Sequence, residues 1–314
     1  MTLTELKYIV AVARERHFGH AAEACFVSQP TLSVAIKKLE EELGVQLFER
    51  GSIEVSMTPI GQQVVEQAQR VLEQSNAIKE IAKQGKDPLA GPLRLGIIYT
   101  IGPYLLPWLV RRMIADVPHM PLMLQENFTV KLLEMLRQGE IDVAILADPF
   151  DDHGLVCQAL YEEPFKVALP SLHKWVGRAN ISSEELKNET MLLLGNGHCF
   201  RDNVLEVCPE LSRFAQHTAG IQKTFEGSSL ETIRHMVASG IGVTVLPILA
   251  CADTGPENLL RYVPFAEPIP FRRVSLVWRK SFPRAGALEA VRQAVLHSEL
   301  PGVRKLPKAI PLSN

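Results

Sequence analysis

A short segment around Cys199 carries the residues that are best suited to chemistry. Gly195-Asn196-Gly197-His198-Cys199-Phe200-Arg201-Asp202 is a glycine-rich turn that leads into a short helical pattern. Helix-terminal N–H groups, His198 and Arg201 would all favour the thiolate of Cys199, which is the nucleophilic form of cysteine. A second thiol, Cys208, follows at the end of the pattern. The pair is typical of either a redox site or two inert thiols.

The helical pattern keeps these two sulfurs apart. Nine helical steps of ~1.5 Å separate Cys199 from Cys208 by about 13.5 Å, on opposite faces of the helix. A disulfide requires Cα atoms within about 7 Å of each other. A bond between the two thiols would therefore require the helix to melt, which couples oxidation to local refolding.

The cysteine count limits the chemistry further. The five cysteines are Cys25, Cys157, Cys199, Cys208 and Cys251. An odd number in a large chain without a signal-peptide pattern argues against a static disulfide framework. No C-x-x-C pair is present, so the spacing predicts no metal site, and we expect no cofactor.

Length and composition predict about two domains of roughly 150 residues each in a soluble protein. The 314 residues are 46% hydrophobic and 22% charged, and 33 Lys and Arg nearly balance 35 Asp and Glu, for a net charge of −2. A globally basic coat is excluded, whereas a local basic surface is not. The longest apolar stretch, residues 241–251, is shorter than the ~20 residues that span a bilayer. We therefore expect a cytoplasmic protein without a membrane partner.

The first third of the chain predicts helices. Thr2 and Glu5 form a capping box before the first helical pattern, and a second short pattern follows Gly19. Ser28 is placed to cap a third helix that has Pro30 in its first turn. Apolar and polar residues lie on separate faces of this third helix. The apolar face contains Leu32, Ile36, Leu39 and Leu43, and the polar face contains Gln29, Ser33 and Lys37. The pattern is equally compatible with a helix-turn-helix and with a small helical bundle whose polar face is solvated.

A hairpin wing and a long helix follow. The segment 45–57 alternates in polarity around Arg50-Gly51 and predicts a small hairpin. Thr58 then caps a long helix that starts at Pro59. Its apolar stripe suits a seam between two helices, which predicts a dimer that pairs two helix-turn-helix units over two half-sites. Lys86 to Pro92 reads as a linker.

The last two thirds predict an α/β domain. Strands near residues 93–98, 120–126 and 142–146 alternate with helices near 102–115 and 130–137, which favours a mostly parallel sheet. Thr100 and Thr129 follow the first two strands, where ligands bind in such sheets. As an alternative, each threonine caps the next helix. Proline-bounded stretches at 162–165 and 264–271 predict two crossovers between paired subdomains of a hinged small-molecule binder.

Several motifs identify a family resemblance. The N-terminal part, with Phe18-Gly19-His20-Ala21-Ala22 and Ser28-Gln29-Pro30-Thr31-Leu32-Ser33, resembles the LysR-type transcriptional regulators. Leu47-Phe48-Glu49-Arg50 and Thr58-Pro59-Ile60-Gly61 continue the match. The segment around Cys199 and residues 229–238 resemble the peroxide-sensing members of that family.

The resemblance implies an α+β multidomain architecture over the whole chain. It implies a winged helix-turn-helix at 1–58 and a linker and dimerisation helix at 59–87. The regulatory domain would occupy 88–314, as a two-lobed α/β domain like a periplasmic binding protein. One lobe would comprise 88–161 plus 268–303, and the other 162–267.

The resemblance also implies roles for single residues. Cys199 would be the peroxidatic thiol, oxidised to sulfenic acid, and Cys208 the resolving thiol of a reversible disulfide. Thr100, Thr129, Gly197 and His198 would line the peroxide pocket, and Arg272 would stabilise the thiolate. DNA contacts would come from Ser28, Gln29, Pro30, Thr31, Ser33, Lys37, Lys38 and Arg50. Cys25, Cys157 and Cys251 match no family role, and we expect Cys25 to pack in the helix-turn-helix core.

The resemblance predicts a peroxide-responsive activator or repressor of oxidative-stress genes, and no enzyme. Its partners would be promoter DNA, RNA polymerase, hydrogen peroxide and a reductant such as glutaredoxin or thioredoxin. The chain would assemble as a homotetramer, a dimer of dimers. Two alternatives remain open: a regulator that binds an organic inducer between the lobes, and a thiol peroxidase. A peroxidase has no need of a helix-turn-helix or a dimerising helix.

Overall fold

The structure is a computed structural model that describes residues 1–50, 55–84, 89–207, 224–227, 229–251 and 259–307. The chain divides into two compact units. The first contains Met1–Pro88 and Ser281–Pro283, and the second contains Leu89–Lys280 and Arg284–Asn314. Within the described part of the chain, no helix has the length and apolar character needed to cross a membrane.

The first unit contains four helices and a two-stranded sheet among its described residues. They are α1 (Leu3–Glu15), α2 (Phe18–Ala24), α3 (Gln29–Leu43), β1 (Phe48–Arg50), β2 (Val55–Met57) and α4 (Pro59–Gln84). β1 and β2 pair antiparallel, as predicted for the wing. The Thr2–Glu5 capping box is confirmed, and Ser28 caps α3 by accepting a hydrogen bond from the Thr31 N–H.

All four helices contribute buried side chains to the core of this unit. The buried side chains include Leu6, Ile9, Val12, Leu32, Ile36 and Leu39. The predicted apolar stripe of α3 is therefore confirmed, except that Leu43 at its end is exposed. α3 ends there because Gly44 adopts a left-handed conformation with φ of 68°.

A close backbone approach joins the wing to α4. The Thr58 hydroxyl caps the helix by accepting from the Gly61 N–H at 2.9 Å. A Cβ atom at Gly61 would lie 2.0 Å from the Leu47 carbonyl oxygen. Only glycine leaves room for this contact, which gives a physical reason for its place in the Thr58–Gly61 motif.

The second unit combines helices with strands of both directions. Its helices are α5 (Gly102–Asp116), α6 (Thr129–Arg137), α7 (Cys199–Val207), α8 (Leu230–Ala238) and α9 (Ala285–His297), with 3₁₀ turns at Ser183–Asn188 and Ile248–Cys251. Its strands are β3 (Leu93–Ile98), β4 (Leu122–Asn127), β5 (Val143–Ala147), β6 (Leu155–Pro170), β7 (Met191–Leu194), β8 (Thr224–Gly227), β9 (Thr244–Pro247), β10 (Leu260–Pro264), β11 (Phe271–Arg279) and β12 (Arg304–Lys305).

The main sheet is mixed, so the prediction of a mostly parallel sheet is wrong. Its order is β10-β6-β11-β5-β3-β4, and β9 and β12 also pair with β6. Only β3 pairs in parallel with its neighbours β4 and β5, as expected for strands that alternate with helices. The long strands β6 and β11 pair antiparallel with each other, and β11 also pairs antiparallel with β5. No described helix lies between β5 and β6 or between β10 and β11, so neither connection is a βαβ crossover. A separate pair, β7 and β8, is parallel.

The two proline-bounded stretches lie side by side. Pro164 pairs with Phe271, and Glu163 pairs with Arg272, on the antiparallel strands β6 and β11. These two strands therefore bring together residues that are more than 100 positions apart in the chain. This register places a carboxylate directly beside a guanidinium near the middle of the second unit.

Candidate functional site

Cys199 stands at the first position of α7, after the turn that leaves β7. The predicted helix is confirmed as Cys199–Val207, and Cys208 lies outside the described residues. The turn depends on Gly197, whose φ of 95° lies in the left-handed region that favours glycine. Cys199 remains partly accessible, whereas Phe200 and Val204 on the same helix are buried in the core.

The environment of the Cys199 thiol differs from the one that the sequence predicts. Burial raises the pKa of the Cys199 thiol, while a hydrogen bond from the Thr129 hydroxyl and the charge of Arg272 lower it. The Arg201 guanidinium, which the sequence also predicts to favour the thiolate, donates to the Leu194 carbonyl at 2.8 Å. Desolvation outweighs these favourable groups, so the pKa of the Cys199 thiol lies above its ordinary value.

Thr129 contributes its side chain to this site and does not cap a helix. It is the first residue of α6, and the N-cap position belongs to Phe128, which makes no side-chain cap. The Thr129 hydroxyl oxygen is buried and has no other hydrogen-bond partner among the described residues. It is therefore available to the sulfur of Cys199 or to a small polar ligand beside it.

Thr100 is held by Arg272 and also caps no helix. The N-cap of α5 is Ile101. Arg272 Nη1 donates to the Thr100 hydroxyl at 2.9 Å, and Nη2 donates to the Thr100 carbonyl at 2.9 Å. The capping alternative is thus wrong for both threonines.

Arg272 is bound by a carboxylate that the sequence did not identify. Its Nε donates to Glu163 Oε2 at 2.8 Å, and both side chains are buried. The other carboxylate oxygen, Oε1, accepts from the Leu249 N–H at 3.0 Å. The Arg272 guanidinium also lies 5.2 Å from the centre of the Phe200 ring. Register between β6 and β11 creates this pair, and only a long-range pairing prediction would have found it.

His198 is buried beside two aromatic rings that the sequence did not identify as part of the site. Its ring centre lies 4.8 Å from that of Phe128 and 6.2 Å from that of Tyr99. A signal was present in the sequence, because an aromatic residue immediately precedes Thr100 and Thr129, as His198 precedes Cys199.

The residues predicted to contact DNA lie together at the surface of α3. Ser28, Gln29, Pro30, Thr31, Lys37 and Lys38 are exposed, and Ser33 is half-buried. Lys37 pairs only loosely with Glu41, at 3.8 Å. Arg50 ends β1, and its side chain lies outside the described part of the structure. The exposed face of α3 therefore offers hydroxyl, amide and ammonium groups to a nucleic acid.

The other three described cysteines are packed against a core or have thiols with a raised pKa. Cys25 packs against the core of the first unit, as predicted. Burial raises the pKa of Cys251 to about 12, and burial together with Asp152 and Asp148 raises the pKa of Cys157 to about 11.

One surface group has a geometry that suits a metal ion. Ligand atoms of Asp151, Asp152 and His153 lie within 4.8 Å of one another. All three residues are exposed, and exposed acidic groups are common without an ion. This group therefore supports no metal assignment.

Comparison with known proteins places both units in one family. Residues 3–62 match the bacterial regulatory helix-turn-helix proteins of the lysR family, and residues 86–299 match the LysR substrate binding domain. A hydrogen peroxide-inducible genes activator of Dickeya chrysanthemi is 40% identical over 295 residues, which cover 94% of this chain and 95% of the relative. The DNA-binding transcriptional dual regulator OxyR of Escherichia coli K12 is 38% identical, with the same coverage.

Solved structures agree with this result. Full-length OxyR C199D from Pseudomonas aeruginosa is similar with a TM-score of 0.77 and 50% identity, covering 96% of this chain and 99% of that one. A hydrogen-peroxide-bound OxyR variant from Corynebacterium glutamicum has a TM-score of 0.63 and 34% identity, covering 94% and 91%. The resemblance predicted from the sequence is confirmed: this chain belongs to the LysR family of bacterial transcription regulators and is not an enzyme.

Proposed function

We propose that this chain is a DNA-binding transcription regulator that senses hydrogen peroxide through Cys199. The observation that carries the proposal is the partly accessible thiol at the start of α7, which is influenced by a hydrogen bond from the Thr129 hydroxyl and by the charge of Arg272. Among the described residues, that hydroxyl has no other partner. Relatives named as hydrogen peroxide-inducible genes activators support the same assignment.

The oxidation step follows from the groups around the sulfur. Cys199 sulfur attacks one oxygen of HO–OH, the S–O bond forms and the O–O bond breaks. The thiol proton joins the leaving oxygen, so that a sulfenic acid and water are the products. Negative charge that develops on the leaving oxygen is stabilised by the hydroxyl of Thr129 and the guanidinium of Arg272.

The next step joins Cys199 to Cys208 with loss of water from the sulfenic acid, which gives a disulfide. The nine residues of α7 extend over about 12 Å at 1.5 Å per step, and a disulfide needs Cα atoms within about 7 Å. We therefore propose that α7 unwinds during disulfide formation. A thiol reductant such as glutaredoxin or thioredoxin would reverse the step.

The DNA-binding role rests on the exposed face of α3. We propose that residues 28–33, Lys37, Lys38 and Arg50 contact promoter DNA, as part of a winged helix-turn-helix at 1–58. The helix at 59–87 would pair two chains, and two such dimers would form a tetramer that engages RNA polymerase. The regulatory domain would have two lobes like a periplasmic binding protein, with 88–161 plus 268–303 in one and 162–267 in the other.

The decisive test is a non-reducing peptide map of the full chain before and after mild peroxide, with promoter occupancy measured in parallel. We expect a Cys199–Cys208 peptide and altered occupancy in the native chain, and neither in Cys199→Ser. Cys251→Ser is the matched control and should behave as the native chain does. An unchanged thiol count, or a Cys199→Ser variant that responds normally, would overturn the proposal.

Hydrogen exchange tests the unwinding of α7. Amides of residues 200–207 should lose protection after oxidation, whereas those of α8 should keep theirs. Equal protection of α7 in both states would contradict the proposed refolding.

A further inference from the structure

Three residues of the proposed peroxide site, Thr100, Thr129 and Cys199, directly follow an aromatic or imidazole ring in the sequence. The pairs are Tyr99 with Thr100, Phe128 with Thr129, and His198 with Cys199. The first two pairs lie directly after strands β3 and β4, and the third lies at the start of α7. Three separate elements thus deliver one ring and one reactive or hydrogen-bonding group each.

The three rings form one cluster, which we call the ring cluster (Tyr99, Phe128 and His198). Tyr99 and Phe128 have ring centres 5.4 Å apart at an interplanar angle of 76°, and Phe128 and His198 have centres 4.8 Å apart at 67°. Tyr99 and His198 complete the triangle at 6.2 Å and 62°. All three contacts are edge-to-face, which is a favoured geometry for aromatic pairs.

Two rings of the cluster are more exposed than the threonines that follow them. Tyr99 is 39% exposed and Phe128 is 38% exposed, whereas Thr100 is 2% and Thr129 is 7% exposed. Each of these two buried hydroxyls therefore stands next in the chain to a half-exposed ring.

The turn before Cys199 lies beside the ring cluster. A Cβ atom on Gly197 would lie 3.5 Å from the Phe128 ring, which is ordinary van der Waals contact. The turn and the Phe128 ring are therefore direct neighbours. A packed surface of this kind admits a small molecule more easily than a large one, because side chains in contact have low compressibility.

We propose that the ring cluster is a size-selective entrance that admits hydrogen peroxide to Cys199 and hinders bulky organic hydroperoxides. This inference rests on the proposed function. The reaction itself does not discriminate between hydrogen peroxide and organic hydroperoxides. With an organic hydroperoxide, R–O–OH, the sulfur bonds to the terminal OH oxygen and the O–O bond breaks. The thiol proton then joins the RO group, which leaves as the alcohol ROH. Selectivity must therefore come from access, and the rings are the groups placed to control it.

The test compares two oxidants on the reduced full chain. The second-order rate constant for oxidation of Cys199 is measured with hydrogen peroxide and with cumene hydroperoxide, by rapid quench with an alkylating reagent and mass spectrometry. In Phe128→Ala we expect the cumene hydroperoxide constant to rise about tenfold or more, because cavity size discriminates substrates by factors of about 10–200. The hydrogen peroxide constant should change by less than about threefold.

The control variants separate size from other effects. Tyr99→Ala should act in the same direction, and Phe128→Leu, which keeps an apolar side chain, should give a smaller change. Trp108→Ala removes an aromatic residue of equal exposure, 39%, from α5 and should leave both constants unchanged. Circular dichroism and the thermal midpoint show whether each variant folds.

The outcomes are distinct. A native chain whose Cys199 is not oxidised by hydrogen peroxide would overturn the proposed function and this inference together. A reactive native chain whose ratio of the two rate constants stays the same in Tyr99→Ala, Phe128→Leu and Phe128→Ala would overturn the entrance alone. Equal acceleration by both oxidants would also overturn it, because that result indicates general exposure of the thiol and no selection by size.

Discussion

The buried pair of Glu163 and Arg272 leads to a quantitative prediction about stability. The two charges lie 2.8 Å apart with 0% and 1% of their side chains exposed. At an effective dielectric constant of about 20, this distance corresponds to an attraction of about 6 kcal/mol. Desolvation of both ions offsets most of it, so the pair as a whole adds little net stability. Loss of one partner destabilises the protein strongly, because the other ion stays buried without its counter-charge.

We therefore expect Glu163→Gln and Arg272→Met each to lower the free energy of unfolding of the second unit by about 3–5 kcal/mol. The double variant should lose much less than the sum of the two changes, because it leaves no unpaired buried charge. Arg272→Lys should lie between native and Arg272→Met, since an ammonium keeps the charge but cannot bind Glu163 and Thr100 with one planar group.

The assay is urea denaturation followed by tryptophan fluorescence. Trp108, Trp175 and Trp278 are the three tryptophans of the chain, and all lie in the sequence range of the second unit, so the signal reports on that unit. Arg94→Met is a matched control, because Arg94 pairs with Asp142 at a more exposed position. That variant should cost about 1 kcal/mol or less. The reasoning would be refuted if each single variant lowered the free energy of unfolding by less than about 1 kcal/mol and the double variant lost the sum of the two changes.

Three further predictions concern the thiol and the DNA-binding unit. Thr129→Val removes a hydroxyl that lowers the pKa of Cys199, so the pKa should rise and peroxide oxidation at pH 7 should slow by about tenfold, with Thr129→Ser close to native. Since burial raises the pKa of Cys199, its oxidation rate should increase about tenfold per pH unit between pH 6 and 8; a flat profile would show that the thiolate is already formed. Gly61→Ala would place a carbon 2.0 Å from the Leu47 carbonyl oxygen. We expect it to lower the free energy of unfolding of the first unit by about 1–3 kcal/mol, measured by thermal unfolding. An unchanged thermal midpoint would contradict the contact.

Local patterns in the sequence predicted the helical parts well. The capping residues Thr2, Ser28 and Thr58 act over three or four positions, so the sequence alone contains the information for their hydrogen bonds. The start of α7 at Cys199 is local in the same way. Sheet direction is different, because the antiparallel pairing of β6 with β11 joins segments that are far apart in the chain.

The residues of the site also separate into those that local sequence patterns predict and those that depend on long-range contacts. The position of Thr100 and Thr129 after two parallel strands was predictable, because strands of a βαβ unit end at one edge of the sheet. Their roles were not, since capping by a threonine is the common alternative at such turns. The observed helix starts, with Ile101 and Phe128 as N-caps, remove that alternative, and the role of Thr100 comes from its contact with Arg272, 172 positions away. The partner of Arg272, Glu163, depends on strand register and has no local signature.

This long-range pair also bears on how Cys199 can react although its pKa is raised. Burial raises the pKa of Cys199 more than the cation of Arg272, which is paired with Glu163, lowers it. The thiol is then a poor nucleophile toward reagents that meet it without the pocket groups. As an O–O bond breaks, however, negative charge moves from sulfur to the leaving oxygen, and the donors of Arg272 and Thr129 are already in place to stabilise it. Reactivity is thereby tied to a peroxide that reaches these donors, so selectivity belongs to the pocket and its entrance and not to the thiol alone.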